Sequence, residues 1–370
     1  QRQMCIRDRI RPGITVRRYS NNDITWEIAR KLNLGFEMRL FDKVELQVDY
    51  FTENRSNILL ERTNLPSSMG LEASVEANVG RAKSHGVEGA LTYQHSFSED
   101  FWLSANANFT YATSEFLVAD EPDYAASGLP WRSRIGYSLN QQWGYIAERL
   151  FIDETDIANS PIQTFGPYMP GDIKYKDINR DGKIDESDLV PIGYPTEAEI
   201  NYGFGATLGY KGFDFSFFFN GLGRKTFFID AQQMAPFNNP PVTAAGVGGY
   251  TRKTALFKEF ADSHWSESNP DIYAVWPRLS TDAYDNSNNY QQSTWWMRNG
   301  SFLRLKLIEL GYTLPHNLTR KIRIEDLRIY VSGEDLFAGS NFKMWDVEMG
   351  GMGIGYPIQK KFNIGLQVKF

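Results

Sequence analysis

The feature that most constrains this chain is an alternation of apolar and polar side chains that runs for roughly ten residues, reverses over a very short turn and runs back. In "YGFGATLGYKGFDFSFFFN" one face carries Tyr202, Phe204, Ala206, Leu208 and Tyr210, and the other Gly203, Gly205, Thr207 and Gly209. After Lys211-Gly212, Phe213, Phe215, Phe217 and Phe219 share one face against Asp214, Ser216 and Asn220. "KLNLGFEMRLFDKVELQVDYF" and "GVEGALTYQHSFSEDFWLSANANFTYAT" repeat the grammar, with turns at "FD" and "SED".

Two architectures produce such hairpins. A soluble β-sandwich hides one apolar face, but its strands usually run about five or six residues. A transmembrane β-barrel needs strands of about nine to eleven residues, apolar outward and polar inward, with short turns on one side and long loops on the other. Here the connections between hairpins are long, at 113–131, 146–197 and 225–299. The pattern predicts an all-β fold of roughly ten strands in a large antiparallel transmembrane barrel. No stretch of 18 apolar residues exists and mean hydropathy is -0.43, which excludes helical spans but leaves barrel strands open. The net charge of -6 argues against nucleic acid as a partner. "KKFNIGLQVKF" closes the chain with Phe362, Ile364, Leu366, Val368 and Phe370 alternating against polar residues.

Residues 177–188, "DINRDGKIDESD", carry a different signal. Asp177, Asn179, Asp181, Asp185 and Asp188 place oxygens at positions 1, 3, 5, 9 and 12 of an EF-hand-like loop, with Gly182 at the turn and the Lys183 carbonyl at position 7. A hard cation such as Ca2+ takes six to eight such oxygens, so these six residues are the predicted metal ligands and structural Ca2+ the predicted cofactor. Asp188 stands where a longer Glu binds bidentately, which shortens the reach. The competing reading is a turn in which Asp and Asn bond their own backbone. Pro191 and Pro195 follow and Pro/Gly-rich sequence precedes, so helices do not flank the loop and a calcium sensor is excluded.

No catalytic site is predicted. Walker A and G-x-S-x-G are absent, "GFGATLG" misses the dinucleotide spacing, and His85, His95, His264 and His316 have no ligand spacing. The only cysteine, Cys5, falls within a leader read below as non-native, so disulfides and thiol catalysis are out. Trp265, Trp276, Trp295 and Trp296 read either as platforms for a sugar ring or a partner, or as membrane-interface anchors or loop packing.

Several stretches taken together resemble the C-terminal part of SusC/RagA-type TonB-dependent outer-membrane transporters. These are "DITWEIARKLNLGFEMRLFDKVELQVDYF", "NVGRAKSHGVEGALTY", the run from "PGDIKYKDINRDGKIDESD" to "GFDFSFFFNG", "SFLRLKLIELGYTLP", "LRIYVSGEDLF" and "YPIQKKFNIGLQVKF". The resemblance implies about half of a 22-stranded barrel over residues 13–370, with the plug domain and TonB box absent from it. Residues 1–12 read as a non-native leader, since "MCIRDR" resembles translated adapter sequence. It further implies location in the outer membrane of a Gram-negative bacterium and energy from TonB-ExbB-ExbD through the missing N-terminal part. Import of glycans or oligopeptides with a SusD-like surface lipoprotein is implied too, as is recognition of Phe370 by the barrel-assembly machinery. The alternative is a soluble calcium-dependent carbohydrate-binding or dockerin-like module of a secreted protein. It explains the aspartate loop and the aromatics but not the long strands or the terminal Phe.

Overall fold

The computed structural model describes residues 16, 19–236, 256–280, 287–320 and 323–370; residues 1–12 lie outside the described residues. Nine strands form one sheet in which every neighbour in sequence is a neighbour in space. They are β1 (Ile28–Leu40), β2 (Val44–Glu61), β3 (Glu76–Ser96), β4 (Phe101–Val118), β5 (Ile200–Tyr210), β6 (Phe213–Gly223), β7 (Phe302–Thr313), β8 (Asp326–Ser340) and β9 (Lys361–Lys369). All eight pairings are antiparallel, and the sheet is open, with β1 and β9 at its edges.

Directly opposed residues share a face, and the register joins the apolar positions into rows that cross the sheet. One row is Leu103, Leu208, Phe215, Leu310, Val331 and Ile364. The row above it joins Leu40, Val44, Tyr93, Ala105, Ala206, Phe217, Ile308, Gly333 and Phe362. Phe101, Tyr210, Phe213 and Tyr312 edge this face at the short-turn end, and Tyr50, Tyr111 and Tyr202 stand at the other. Phe101 and Tyr111 are ten residues apart, about 33 Å along a strand. At the usual barrel tilt that is a band of about 25 Å, the height of the apolar belt of outer-membrane barrels. Many of these side chains are exposed to solvent, Phe213, Leu310 and Val331 of interior strands among them, so lipid rather than protein covers them.

The opposite face is polar. Its rows include Glu37, Gln47, Ala90 and Asn108, and Ser104, Thr207, Ser216, Glu309, Ser332 and Asn363. Where a large ring faces inward it lies over a glycine: a Cβ on Gly205 would meet Phe218, one on Gly209 Trp102 and one on Gly365 Tyr330. Arg328 joins Asp214 and Glu309 there, with its Nη2 2.6 Å from Glu309 Oε1.

The turns 41–43, 97–100 and 211–212 lie at one end, together with the longer 314–325 connection and its short helix His316–Thr319. Lys211 and Gly212 both have positive φ, 49° and 85°, the conformation a two-residue hairpin turn requires and glycine adopts without strain. The other end carries 62–75, 119–199, 224–301 and 341–360. Expectation and structure differ in two respects. β2, β3 and β4 run 18, 21 and 18 residues, well past the apolar band. The separate connections 113–131 and 146–197 are one, 119–199, because β4 continues to Val118 and 132–145 supplies only the short strand Gln142–Gly144.

Candidate functional site

The long connections fold into a body of their own at the outer mouth. Its core is made of residues far apart in sequence: Leu150, Phe151, Ile173, Tyr175 and Ile184 from the 119–199 connection, Phe227, Phe260, Trp276 and Trp296 from 224–301, and Phe342 and Val347 from 341–360, all buried. Trp276 and Trp296 meet at 4.8 Å between ring centroids, Phe260 lies 4.3 Å from Trp276, and Trp296 Nε1 donates to the Asn289 carbonyl at 2.7 Å. Trp265 is buried in the same core and Trp295 packs against it. Of the readings open for the four tryptophans, loop packing is the one the structure supports; Trp276 and Trp296 present no ring for a sugar or a membrane interface, and Trp265 shows only an edge to the cleft described below.

Buried polar groups stitch the connections together. Gln163 Nε2 donates to the Asn288 side chain at 2.6 Å and to the Ile173 carbonyl at 2.9 Å, while its Oε1 accepts from Tyr175 N at 2.7 Å. Asp172 has no exposed surface and faces Arg278 Nε at 2.7 Å and Asn289 Nδ2 at 2.7 Å. Burial pushes its carboxyl up, against the pull of the Arg278 guanidinium. Burial also raises the Tyr145 phenol to about 12. The Arg149 guanidinium, at 2.5 and 2.9 Å, holds the Asp156 carboxyl well below the usual carboxylate range, helped by Lys174 at 3.0 Å.

Arg304 fastens this body to the wall. It stands on the inner face of β7 opposite Asn220 and Ala338, is 2% exposed, and reaches Asp346 at 2.6 and 2.8 Å as well as Glu348. The 341–360 connection therefore lies over the inner side of the mouth. On the body a cleft of about 830 Å³ opens between Ile152, Met169, Pro170, Trp265, Glu267 and Arg278.

The aspartate loop is part of the same body. Lys183–Ile184 pairs in parallel with Ile162–Gln163, Ile184 is fully buried, and Trp131 Nε1 donates to the Ser187 carbonyl at 2.8 Å. The structure turns the predicted ligands toward the loop's own backbone. Asp177 accepts from Arg180 N at 2.6 Å and Gly182 N at 2.9 Å, Asn179 from Asp181 N at 3.1 Å, and Asp181 from Lys183 N at 2.9 Å. Asp185 accepts from Ser187 N at 2.8 Å, and buried Asp188 from Ile178 N at 2.7 Å and Asp185 N at 3.0 Å. Gly182 has φ 86°, and nothing crowds it, so its role is conformational. The carbonyls of Gly182 and Ile184 accept from Ile162 and Thr164. That of Lys183 between them points the other way, to the side where its N–H meets Asp181. Among the described residues no three acidic, His or Cys side chains converge as a metal cage. The donors keep their loop order, but the loop as it stands closes on hydrogen bonds alone. For Ca2+ to fit, the carboxylates must use lone pairs that the backbone N–H groups leave free.

Comparison with known proteins places this architecture. Residues 7–179 match the family described as "TonB dependent receptor-like, beta-barrel". The chain is similar to TonB-dependent receptors, SusC among them. It is 28% identical to TonB-dependent receptor P26 of Formosa agariphila over 97% of this chain and 36% of that protein. To TonB-dependent receptor SusC of Bacteroides thetaiotaomicron it is 23% identical over 95% of this chain and 32% of that protein. The chain thus spans about a third of the length of the curated relatives it matches. Among solved structures, the RagAB peptide importer in its open-open state superimposes with a TM-score of 0.65 at 21% identity, covering 97% of this chain and 36% of that one. By this likeness the chain belongs to the outer membrane; no helix among its described residues is long and apolar enough to cross a membrane, which leaves crossing by β-strands open. Among the described residues no second apolar layer covers the outward rows, though the soluble-module alternative requires one.

Proposed function

We propose that the protein to which this barrel segment belongs imports glycans or oligopeptides across the outer membrane, with energy from TonB-ExbB-ExbD and a SusD-like lipoprotein as its surface partner. The observation that carries the reading is the two-faced wall: a lipid-facing belt outside, a polar face inside, and a packed body of long connections over the inner side of the mouth. The names of its relatives, SusC and a peptide importer, agree with that reading. The cleft beside Trp265 and Met169 is the surface of that body suited to a partner or a captured substrate. The test is uptake: a strain lacking the full-length protein should fail to take up one class, labelled oligosaccharides or labelled oligopeptides, and regain it on complementation. Unimpaired uptake of both classes would overturn the proposal.

Two further roles belong to this reading. Ca2+ in the 177–188 loop would stiffen a clip between barrel strands, with Asp177, Asn179, Asp181, Asp185, Asp188 and the Lys183 carbonyl as its oxygens. Phe370, exposed just beyond β9, would serve as the assembly signal. Its deletion should slow the appearance of heat-modifiable protein, and unchanged assembly kinetics would remove that role.

A further inference from the structure

Beyond Tyr50, Val87 and Tyr111 the lipid-facing side of β1–β4 changes character. The next two rows on that face are Leu32, Thr52, His85 and Thr113, then Arg30, Asn54, Lys83 and Glu115. The second row lies about 13 Å beyond the tyrosines along the strands, four residues on. That is headgroup depth, not acyl-chain depth. It is also the side of the long connections, which in outer-membrane barrels face outward from the cell. Arg30 and Lys83 have no ion-pair partner among the described residues.

Beside them, where β5 leaves the sheet, the Arg224 guanidinium lies 4.8 Å from the Tyr194 ring centre and 5.8 Å from that of Tyr111, and it pairs with Glu199. A hollow of about 330 Å³ opens there, whose lining includes His85, Thr113, Tyr137, Ser138, Gln141 and Arg224 together with the carboxylates of Glu115 and Glu199. His85 Nδ1 is buried and makes no hydrogen bond among the described residues.

We propose that this strip seats the headgroup of a phosphorylated glycolipid of the outer leaflet. Arg30 and Lys83 supply cations for the phosphate, and the hollow beside Arg224 offers hydroxyls, an amide and tyrosine to a sugar. The strip continues the lipid-facing belt upward on the same face, so acyl chains on the belt bring their headgroups to it. A glycerophospholipid would meet the cations but leave the hollow's polar groups without a sugar to bond.

The test is native mass spectrometry of the full-length protein in a zwitterionic detergent. Three probes are compared: lipid A carrying its phosphates, the same lipid dephosphorylated, and phosphatidylglycerol. The expected result is preferential retention of phosphorylated lipid A, falling about thirtyfold in the Arg30→Gln/Lys83→Gln variant, the scale for two cations at an anionic lipid surface. Lys31→Gln, one residue along but facing the lumen beside Glu53, should retain it like wild type. Heat-modifiability of each variant reports that the barrel has folded. Equal retention by wild type and the double variant overturns the proposal, as does equal retention of the dephosphorylated lipid. Phosphatidylglycerol bound as tightly as lipid A overturns the glycolipid assignment.

Discussion

The barrel wall and the body of long connections belong to one chain but bury their apolar residues in opposite ways. On the wall, Leu310 and Val331 of interior strands are 49% and 47% exposed, because the protein supplies only one layer and the membrane is the other. In the body, Leu150, Phe151, Ile173, Ile184 and Phe260 are 0% exposed, as in an ordinary water-soluble core. The wall's stability rests on backbone ladders between strands, and the body's on side-chain packing and buried polar links such as Asp172 with Arg278. The difference teaches that the two parts should fail separately. Each can be loosened by changes that leave the other intact.

The largest effect is expected in the body. Trp296→Ala removes a 2%-exposed ring at the junction with Trp276, a change that costs about 3–5 kcal/mol. Proteolysis should then cut the 119–199 and 224–301 connections of the full-length protein while the barrel stays heat-modifiable. Loss of both together would break the comparison. On the wall, Phe215→Arg puts a cation in the middle of the lipid-facing belt at about 2–4 kcal/mol, whereas Ser216→Arg faces the lumen. Outer-membrane levels should fall for the first and hold for the second. Equal levels would mean that the faces are wrongly assigned.

Calcium sharpens the contrast further, because it should act on the body alone. Saturation at a hundredfold excess over Kd adds about 2.7 kcal/mol to whatever unit binds the ion. Chelation should speed protease cleavage within 171–195, Asp181→Ala should abolish the difference, and cleavage elsewhere should not change. Magnesium should substitute poorly, since it demands tight octahedral geometry. Calorimetry without a binding signal, and cleavage indifferent to chelator, would leave the loop as the hydrogen-bonded turn that Asp177, Asp181 and Asp188 already form.

The two regions also differ in how far they can be read from sequence. The wall is legible because period 2 marks each side chain's face, as Phe213, Phe215, Phe217 and Phe219 do opposite Tyr312, Leu310, Ile308 and Leu305. Its upper extent is not legible. Above Tyr50, Val87 and Tyr111 polar and apolar residues mix on both faces, and Thr52, Lys83 and Glu115 give no contrast with their neighbours. The body has no period to read. Leu150, Ile173, Trp276 and Trp296 meet only through the tertiary fold, which is why the tryptophans could not be assigned before their burial was known. The aspartate loop lies between the two cases: its spacing is plain, but spacing alone does not tell carboxylates around a cation from carboxylates bonded to backbone N–H groups.

The smallest expected effect is acid loosening of the body through Asp156. Its folded-state pKa is depressed, chiefly by Arg149, so it contributes stability above its unfolded pKa of about 3.9 that is lost as pH falls toward the folded value. Asp172 works in the opposite sense: burial raises its carboxyl, so protonation there relieves a cost and cannot cause loosening. Arg149, the guanidinium that pairs with Asp156, stays charged throughout this range. Protease sensitivity of the 147–175 segment in the full-length protein should therefore stay flat from pH 7 to about 4 and rise below that. Asp156→Asn should raise it at neutral pH and flatten the acid limb, because the group that titrates is gone. A variant whose acid limb matches wild type would assign the loosening to other carboxylates. A wild-type profile that is flat to pH 3 would show that the Arg149, Asp156 and Lys174 cluster does not hold the body together.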